Sequence, residues 1–417
     1  MSRIRRHTPP RRRPVRNAVI AGTAVLAAAL TACSGGSGGS GDGKGGAADL
    51  AGAKKAQISV NLTGQQAKAG EPVKVTLASG KLQQVTVTDA KGGKLAGKIA
   101  ADGRTWTSDR VAAPGSTYAI EAKDDKGSTA KAGFATVAAD KVNKLSLAPG
   151  KDTTVGVAQP LSIVFDHPVK NKAAVEKQLK VTTSDNTVGS WGWMEDYSGK
   201  SRVDWRPKDY WKAGTKVTLE ADLNGVDSGG GWFVKDYKTG FTVGKNQVVK
   251  VDLDNHRLKL YRDGAVVKEI PVSGGTPGGD KRSWRGKAVL MSKEGTINMN
   301  SETVGLGDAY NKMVDYSMRL TWSGMYAHAA PWNAAYFGNT NHSSGCIGMS
   351  DANAKELYGT VQVGDPFEIV GDDTKGPQAV NNGYGEWNLS WEQWQKKSAL
   401  TGASTAGTAS TAGAASS

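Results

Sequence analysis

Short stretches in which apolar and polar residues alternate occupy the chain from about residue 51 to residue 245. Gly, Asp or Pro separates most neighbouring stretches. A period of two residues is typical of β-strands with one buried face, and the separators favour turns. Because the pattern pauses near residues 137–140, we predict two tandem β-sandwiches, over 51–139 and 140–245. The alternating positions are Ile58, Val60 and Leu62; Val73, Val75 and Leu77; Val85 and Val87; Tyr118 and Ile120; Leu145 and Leu147; Leu161, Ile163 and Phe165; and Phe241 and Val243.

A third region begins after Lys245. Two apolar segments flank the turn at Asp254-Asn255, and they predict a β-hairpin that opens a third domain, over residues 246–371. Beyond it, in residues 372–400, Trp387, Trp391 and Trp394 recur at spacings of four and three, which predicts a short helical extension with the tryptophans on one face. Residues 401–417 contain only Thr, Gly, Ala and Ser, and we expect a disordered tail there.

The first 32 residues are typical of an export signal. Seven arginines and no acidic residue precede an apolar run from Ala18 to Leu30. This run is too short to span about 30 Å of hydrocarbon as a helix. The segment that follows, Leu30-Thr31-Ala32-Cys33, resembles the lipobox of bacterial lipoproteins, which implies lipidation of Cys33. An ordinary cleavage site beside a chance cysteine is the alternative. Residues 33–50, rich in Gly, Ser and Ala, are then a tether.

Cysteine and charge content narrow the possible functions. The chain has two cysteines, and an acylated Cys33 would leave Cys346 as an unpaired thiol. A free thiol in an exported protein indicates a reactive role, although a buried, inert cysteine is the alternative. The formal net charge is +14, and removal of the signal segment leaves +7. That favours anionic wall polymers or lipid headgroups, although solvated lysines on an ordinary surface explain the charge nearly as well. No compact basic and aromatic cluster indicates nucleic acid.

The second sandwich has its own resemblance and its own aromatic cluster. The segments 164–169 and 205–215 resemble the bacterial immunoglobulin-like domain that precedes many wall transpeptidase domains. Five tryptophans of this region either form a platform for sugar or peptide or, as we expect, pack within and between domains. They are Trp191, Trp193, Trp205, Trp211 and Trp232.

The segments Tyr326-Ala-His328-Ala-Ala-Pro-Trp-Asn333 and Asn341-His-Ser-Ser-Gly-Cys-Ile-Gly-Met-Ser350 carry the candidate chemistry. They resemble the active-site signature of L,D-transpeptidases, in which a base histidine in His-x-x-Pro-Trp precedes the nucleophilic cysteine by eighteen residues. The opening hairpin after Lys245 is also similar to that of their catalytic domain. The resemblance implies a mainly β catalytic fold, with Cys346 as nucleophile and His328 as base.

Elementary chemistry supports these roles. A thiol with a pKa of about 8.5 is mostly protonated at neutral pH and needs a neighbouring base, which His328 can supply. Gly345 allows close backbone approach, and the amides around Gly345 and Cys346 can stabilise an oxyanion. A plain turn glycine is the alternative for Gly345. The resemblance adds that the backbone carbonyl of Ala329 orients the histidine.

The chain departs from the family pattern at two positions. Ser344 replaces the histidine that usually precedes the Gly-Cys pair, and Gly348 replaces an asparagine that is common two residues after the cysteine. His342 either compensates in part or is an ordinary loop residue. We expect these changes to affect substrate positioning and rate rather than the nucleophile and base.

Further residues are candidates for substrate binding. Met299 and Tyr310 fall in a long polar connection that resembles the flap of relatives, although an ordinary surface loop is the alternative. The remaining candidates are Trp322, Asn341, His342 and Ser343. A zinc site of His328, His342 and Cys346 lacks any paired-cysteine or His-Glu-x-x-His spacing, so we predict no metal and no cofactor.

The resemblance implies a defined reaction on peptidoglycan. Cys346 would attack the third residue of a donor tetrapeptide stem and release D-alanine, and a diaminopimelate-type amine of an acceptor stem would resolve the thioester into a 3-3 cross-link. Carbapenems are expected to acylate the same cysteine. Two alternatives stay open, namely an L,D-carboxypeptidase or endopeptidase with the same site, and a non-catalytic wall-binding lipoprotein. In each case we expect an exported, lipid-anchored protein that faces the cell wall.

Overall fold

The computed structural model describes residues 56–308 and 310–400. The predicted signal segment, the lipidation site Cys33, the tether and the tail from residue 401 lie outside the described residues. Within the described ranges, no helix has the length and apolar character needed to cross a membrane.

Nine strands form the first sandwich, in two sheets ordered β1-β3-β7-β6 and β2-β9-β8-β4-β5. The predicted alternation holds, since Val73, Val75 and Leu77 all point into the core and their neighbours Lys74 and Thr76 do not. The strands are β1 (Ile58–Val60), β2 (Gly64–Ala67), β3 (Pro72–Leu77), β4 (Leu82–Asp89), β5 (Lys94–Leu95), β6 (Gly97–Ile99), β7 (Thr105–Val111), β8 (Thr117–Asp124) and β9 (Thr129–Thr136).

The second sandwich has sheets ordered β10-β12-β15-β14 and β11-β17-β16-β13. Its core contains Trp191, Trp193, Trp205 and Trp211, all at most 5% exposed, so these rings pack the core and form no surface platform. The ring of Trp232 instead lies against Gly70 of the first sandwich. The elements are β10 (Leu145–Ala148), β11 (Thr153–Val155), β12 (Leu161–Phe165), α1 (Lys172–Glu176), β13 (Leu179–Thr183), β14 (Gly189–Glu195), β15 (Ser201–Pro207), β16 (Lys216–Ala221) and β17 (Tyr237–Val243).

The third region is also mainly β and contains two sheets, ordered β20-β19-β18-β26-β21 and β22-β23-β24-β25. One apolar core lies between these sheets and the helix α2, which packs on β23 and β24. The elements are β18 (Gln247–Asp252), β19 (Arg257–Arg262), β20 (Ala265–Pro271), β21 (Gly286–Val289), β22 (Ser292–Asn300), β23 (Asn311–Arg319), β24 (Tyr326–Ala329), β25 (Ile347–Met349), α2 (Asp351–Thr360) and β26 (Pro366–Val370), with 3-10 turns at Ser301–Val304 and Pro331–Tyr336.

The tryptophan-rich extension differs in detail from the prediction. It forms a 3-10 turn, Gly385–Asn388, and a separate helix α3, Trp391–Gln395, rather than one helix. The break has a local cause, because Ser390 caps α3 in a capping box with Gln393. The tryptophans share a partner instead of a helical face, since the rings of Trp387, Trp391 and Trp394 lie 4.7, 5.6 and 5.2 Å from the Arg206 guanidinium.

The extension connects the second sandwich with the third region. The indole of Trp394 covers Gly192 of β14 and donates to the carbonyl oxygen of Ser190 at 2.9 Å. On the other side, the Asn388 side chain accepts from the backbone amide of Lys287 at 2.7 Å. The extension therefore contacts both the second sandwich and the third region.

Candidate active site

Cys346 lies at the end of a tight loop, directly before β25. The residue before it, Gly345, has φ +118°, a conformation that favours glycine over any residue with a side chain. The Ser343 hydroxyl closes the loop, because it donates to the Cys346 carbonyl oxygen at 2.6 Å and accepts from the Gly345 amide at 3.1 Å. Buried Ser283 donates to the Gly345 carbonyl oxygen at 2.9 Å. The backbone around the thiol is thus fixed from both sides.

His328 belongs to β24, which runs parallel to β25 with His328 opposite Gly348. Neighbouring strands lie about 4.8 Å apart, and side chains two residues apart share a face of the sheet. Tyr326 and His328 therefore share the face onto which Cys346 projects. This pairing brings residues 328 and 346 together although eighteen positions separate them.

One hydrogen bond sets the tautomer of His328. Its Nδ1 lies 2.6 Å from the carbonyl oxygen of Ala329, the contact that the family resemblance predicts. A carbonyl oxygen only accepts, so Nδ1 carries the proton and Nε2 presents a lone pair. Burial lowers the pKa of His328 to about 4, and the charge of Lys312 acts in the same direction. The imidazole is therefore a neutral base at physiological pH.

Cys346 is also held in its neutral form. Burial raises the pKa of its thiol to about 11. The sulfur lies 3.6 Å from the carbonyl oxygen of Gly324 and makes no hydrogen bond to His328 within the described ranges. The resting site consequently holds a thiol and an imidazole rather than a thiolate and an imidazolium.

A cavity of about 270 Å³ opens onto both side chains. It brings together most of the predicted binding candidates with residues that the sequence interpretation did not select. The predicted binding residues in this lining are Met299, Tyr310, His342 and Ser343, and the residues not selected are Lys312, Val314, Trp332 and Asn333. Ser344, which we group with the catalytic residues because it directly precedes the Gly-Cys pair, also lines the cavity.

Two predicted binding residues do not line this cavity. The Asn341 side chain donates to the Leu253 carbonyl oxygen at 2.7 Å and accepts from the Gly274 amide at 2.8 Å, so it braces the loop. Trp322 lines an adjacent groove of about 460 Å³ that shares Met299 and Tyr310 with the cavity. A substrate group that contacts Trp322 would therefore lie in this adjacent groove and not beside Cys346.

The predicted pair of oxyanion donors needs a correction. The Gly345 amide already donates to Ser343, and a single N–H cannot serve an oxyanion equally well at the same time. Within the described part of the chain, the amides of Ser344 and Cys346 donate to no acceptor. These two N–H groups are therefore the free donors of the loop.

The structure accounts for one of the two departures from the family pattern. A Cβ atom at Gly348 would lie 2.9 Å from the Cβ of Ala330, and the Gly348 backbone pairs with Ser273 on its other side. An asparagine has no room there. Ser344 faces the cavity, and exposed His342 stacks on Tyr336 with ring centroids 4.1 Å apart.

Among the described residues, no group of three potential ligands is close enough to hold a metal.

A fixed cysteine beside an oriented histidine, carried by a mainly β domain behind two sandwiches, defines a cysteine-dependent acyltransferase. Comparison with known families gives the particular class. Residues 246–369 match the L,D-transpeptidase catalytic domain, and residues 64–227 match a bacterial Ig domain that extends over both sandwiches. The chain belongs to the L,D-transpeptidase family.

Two relatives carry this assignment, and one solved structure is partly similar to the chain. L,D-transpeptidase 2 of Mycobacterium tuberculosis is 32% identical over 78% of this chain and 80% of its own length. L,D-transpeptidase 5 of the same species is 31% identical over 79% of this chain and 73% of its own length. A solved L,D-transpeptidase structure from Mycobacterium smegmatis is 31% identical over 55% of this chain and 99% of its own, with a TM-score of 0.45.

Proposed function

We propose that Cys346 forms 3-3 cross-links between peptidoglycan stems through a thioester acyl-enzyme, with His328 as the only general base. The observation that carries this proposal is the neutral imidazole beside the thiol, with Nδ1 anchored on Ala329 and Nε2 without a hydrogen-bond partner among the described residues. Membership of the L,D-transpeptidase family supplies the class of reaction and the peptide substrate.

The first half-reaction moves an acyl group onto sulfur. The thiol proton passes to His328 Nε2 while the sulfur bonds to the carbonyl carbon of the third residue of a donor tetrapeptide. The oxyanion that forms is held by the Ser344 and Cys346 amides. The bond to D-alanine then breaks, and the proton on Nε2 moves to the departing amine.

The second half-reaction returns the enzyme to its starting state. The side-chain amine of a diaminopimelate-type residue on the acceptor stem loses a proton to Nε2 and attacks the thioester carbonyl. The C–S bond breaks, and the sulfur takes the proton back. If water replaced the amine, the product would be a shortened stem, as in an L,D-carboxypeptidase.

Intact-protein mass spectrometry after incubation with a carbapenem tests the nucleophile and the base. We expect the protein to gain the full mass of the ring-opened inhibitor, Cys346→Ala to gain none, and His328→Gln to react far more slowly. His342→Gln is the matched control, because it removes the other histidine of the cavity. An unmodified wild-type protein would contradict the proposal and favour a non-catalytic wall-binding role.

A product assay separates transfer from hydrolysis. Purified tetrapeptide stems are incubated with and without an acceptor amine, and the products are separated by mass. We expect cross-linked dimers with the acceptor and release of D-alanine in step with them. Uncross-linked tripeptide as the sole product in both reactions would assign the site to hydrolysis.

Export is consistent with a family that acts on the cell wall, and we assign the membrane anchor to lipidated Cys33. The sandwiches would then act as a stalk that carries the site to the peptidoglycan. Cys33→Ala should move the protein from the membrane fraction to the medium. An unchanged distribution would remove the lipid anchor from the proposal and leave the chemistry of Cys346 intact.

A further inference from the structure

Lys312 of β23 points into the cavity that contains Cys346 and His328. Its ammonium nitrogen lies 4.2 Å from the centroid of the Trp332 ring. The Trp332 ring is in turn stacked on the His328 imidazole, with centroids 6.1 Å apart and planes at 29°. One aromatic ring thus separates a lysine ammonium group from the general base.

No carboxylate neutralises this lysine. Every ion pair found in residues 56–308 and 310–400 involves other side chains. Among the residues that line the cavity, Lys312 is the only lysine, arginine, aspartate or glutamate. The cavity therefore presents a single positive charge that has no acidic partner among the described residues.

The surroundings of Lys312 favour an anionic ligand. The lysine is half-buried, and Trp332 covers its ammonium from one side, so the bound water that competes for it is reduced. A carboxylate offers the charge-assisted hydrogen bond that such an ammonium lacks. Stem peptides carry carboxylates within reach of the reacting bond, since the terminal D-alanine is the residue directly beyond it.

We propose that Lys312 binds a carboxylate of the donor stem and thereby positions the stem for attack by Cys346. The inference rests on the proposed function. Two sources supply the same chemistry, the terminal carboxylate of D-alanine and the carboxylate on the side chain of the third residue. Lys312 acts on substrate binding, whereas Cys346 and His328 act on bond making.

The test combines a change in the enzyme with a change in the substrate. Lys312→Met, Lys312→Arg and the control Lys355→Met, which removes an exposed lysine on α2, are assayed on three stems. One stem is unmodified, one has the terminal carboxylate amidated and one has the third-residue carboxylate amidated. KM and kcat are measured separately for D-alanine or alaninamide release.

We expect Lys312→Met to raise KM for the unmodified stem by about tenfold or more, the typical effect of one lost charge-assisted hydrogen bond. Amidation of the recognised carboxylate should raise the KM of wild type by a similar factor and should not raise the KM of Lys312→Met any further. Lys312→Arg should recover most of the loss, and Lys355→Met should match wild type. The amidated stem that shows this coupling identifies the source.

Equal losses of Lys312→Met on all three stems would overturn the inference, because the lysine would then recognise neither carboxylate. A fall in kcat alone would also overturn it and reduce Lys312 to an electrostatic neighbour of His328. Failure of the proposed acyl transfer onto Cys346 gives a different result, since wild type itself would then release no D-alanine from any stem.

Discussion

The Cys346–His328 pair and the Arg202–Asp204–Glu386 cluster are both buried, but burial leaves the first pair uncharged and leaves Arg202 of the cluster charged. In the active site, burial moves both pKa values toward the neutral forms. At the junction of the second sandwich and the C-terminal extension, the Asp204 carboxylate outweighs burial and raises the pKa of Arg202, which keeps its charge. Neutral groups can exchange a proton at little electrostatic cost. The ion pair instead lies within β15, and its Arg202 guanidinium donates to the carbonyl oxygen of Gly383 in the extension at 2.9 Å.

Glu386 is the exception within the junction cluster. It is fully buried, and neither of its carboxylate oxygens has a hydrogen-bond partner among the described residues. Burial and the nearby Asp204 raise the pKa of Glu386 to about 8, against the attraction of Arg202. The junction therefore contains one group that, like the catalytic pair, is buried in its neutral form.

The largest expected effect is on catalysis at the active site. His328→Gln should slow acylation by a carbapenem by about a thousandfold, since a positioned general base typically contributes a factor of this size. Thermal unfolding of the same variant should change little, because glutamine fills much of the same space without a charge. A large loss of stability with residual acylation would assign His328 to structure instead.

The pH dependence of the active site follows from two neutral groups. Acylation should be nearly constant around neutral pH and fall as the pH drops toward 4, where His328 gains a proton. Direct alkylation by iodoacetamide in His328→Gln should instead rise as the pH approaches 11 and Cys346 ionises. An ultraviolet absorption band of a thiolate at neutral pH would show a preformed pair of thiolate and imidazolium, and it would contradict a resting site with two neutral groups.

At the junction we expect the opposite of the result for His328→Gln, because a substitution there should change stability and leave the acylation rate unchanged. The folded-state pKa of Glu386 is raised, so its contribution to stability is fully present below about pH 4.5 and is lost as the pH rises through about 8. Glu386→Gln should therefore raise the midpoint of thermal unfolding by a few degrees at pH 8 and by less at pH 5. Glu392→Gln, on the exposed face of α3, is the control. No difference between the two pH values would contradict a buried neutral Glu386.

The smallest effect concerns the hold on the nucleophile loop. Ser343→Ala removes the partner of the Gly345 amide and of the Cys346 carbonyl. Acylation should fall by about tenfold, which corresponds to roughly 1 to 2 kcal/mol for two hydrogen bonds partly replaced by water. Ser343→Thr keeps a hydroxyl and should recover most of the rate. Equal rates for the two variants would show that the loop keeps its shape without this contact.

Periodicity and one motif predicted much of this molecule. Alternating residues such as Val73, Val75 and Leu77 indicate strands because only one face of each sheet is buried. The nucleophile and base were found from their spacing and flanks, and their roles stay predictions until the acylation experiments. The spacings of four and three between Trp387, Trp391 and Trp394 led to the wrong prediction of a single helical face. The capping box that begins at Ser390 marks the break between the 3-10 turn and α3.

Contacts that depend on tertiary structure were not accessible from the sequence. Lys312 is one charged residue among many until β23 places it over Trp332. Asn341 looked like a binding residue, but its amide is used by the backbone of Leu253 and Gly274. Nothing local in the sequence indicates which amides of the nucleophile loop remain free.

The contact between the Cys346 thiol and the Gly324 carbonyl also bears on chemical durability. Thiolates attack peroxides and disulfides much faster than thiols do, so a buried, protonated sulfur reacts with them slowly. An exported enzyme works where no glutathione pool reduces its cysteine again. A protonated Cys346 therefore suits the export proposed above, because the sulfur becomes reactive only while a substrate carbonyl occupies the cavity and His328 can take the proton.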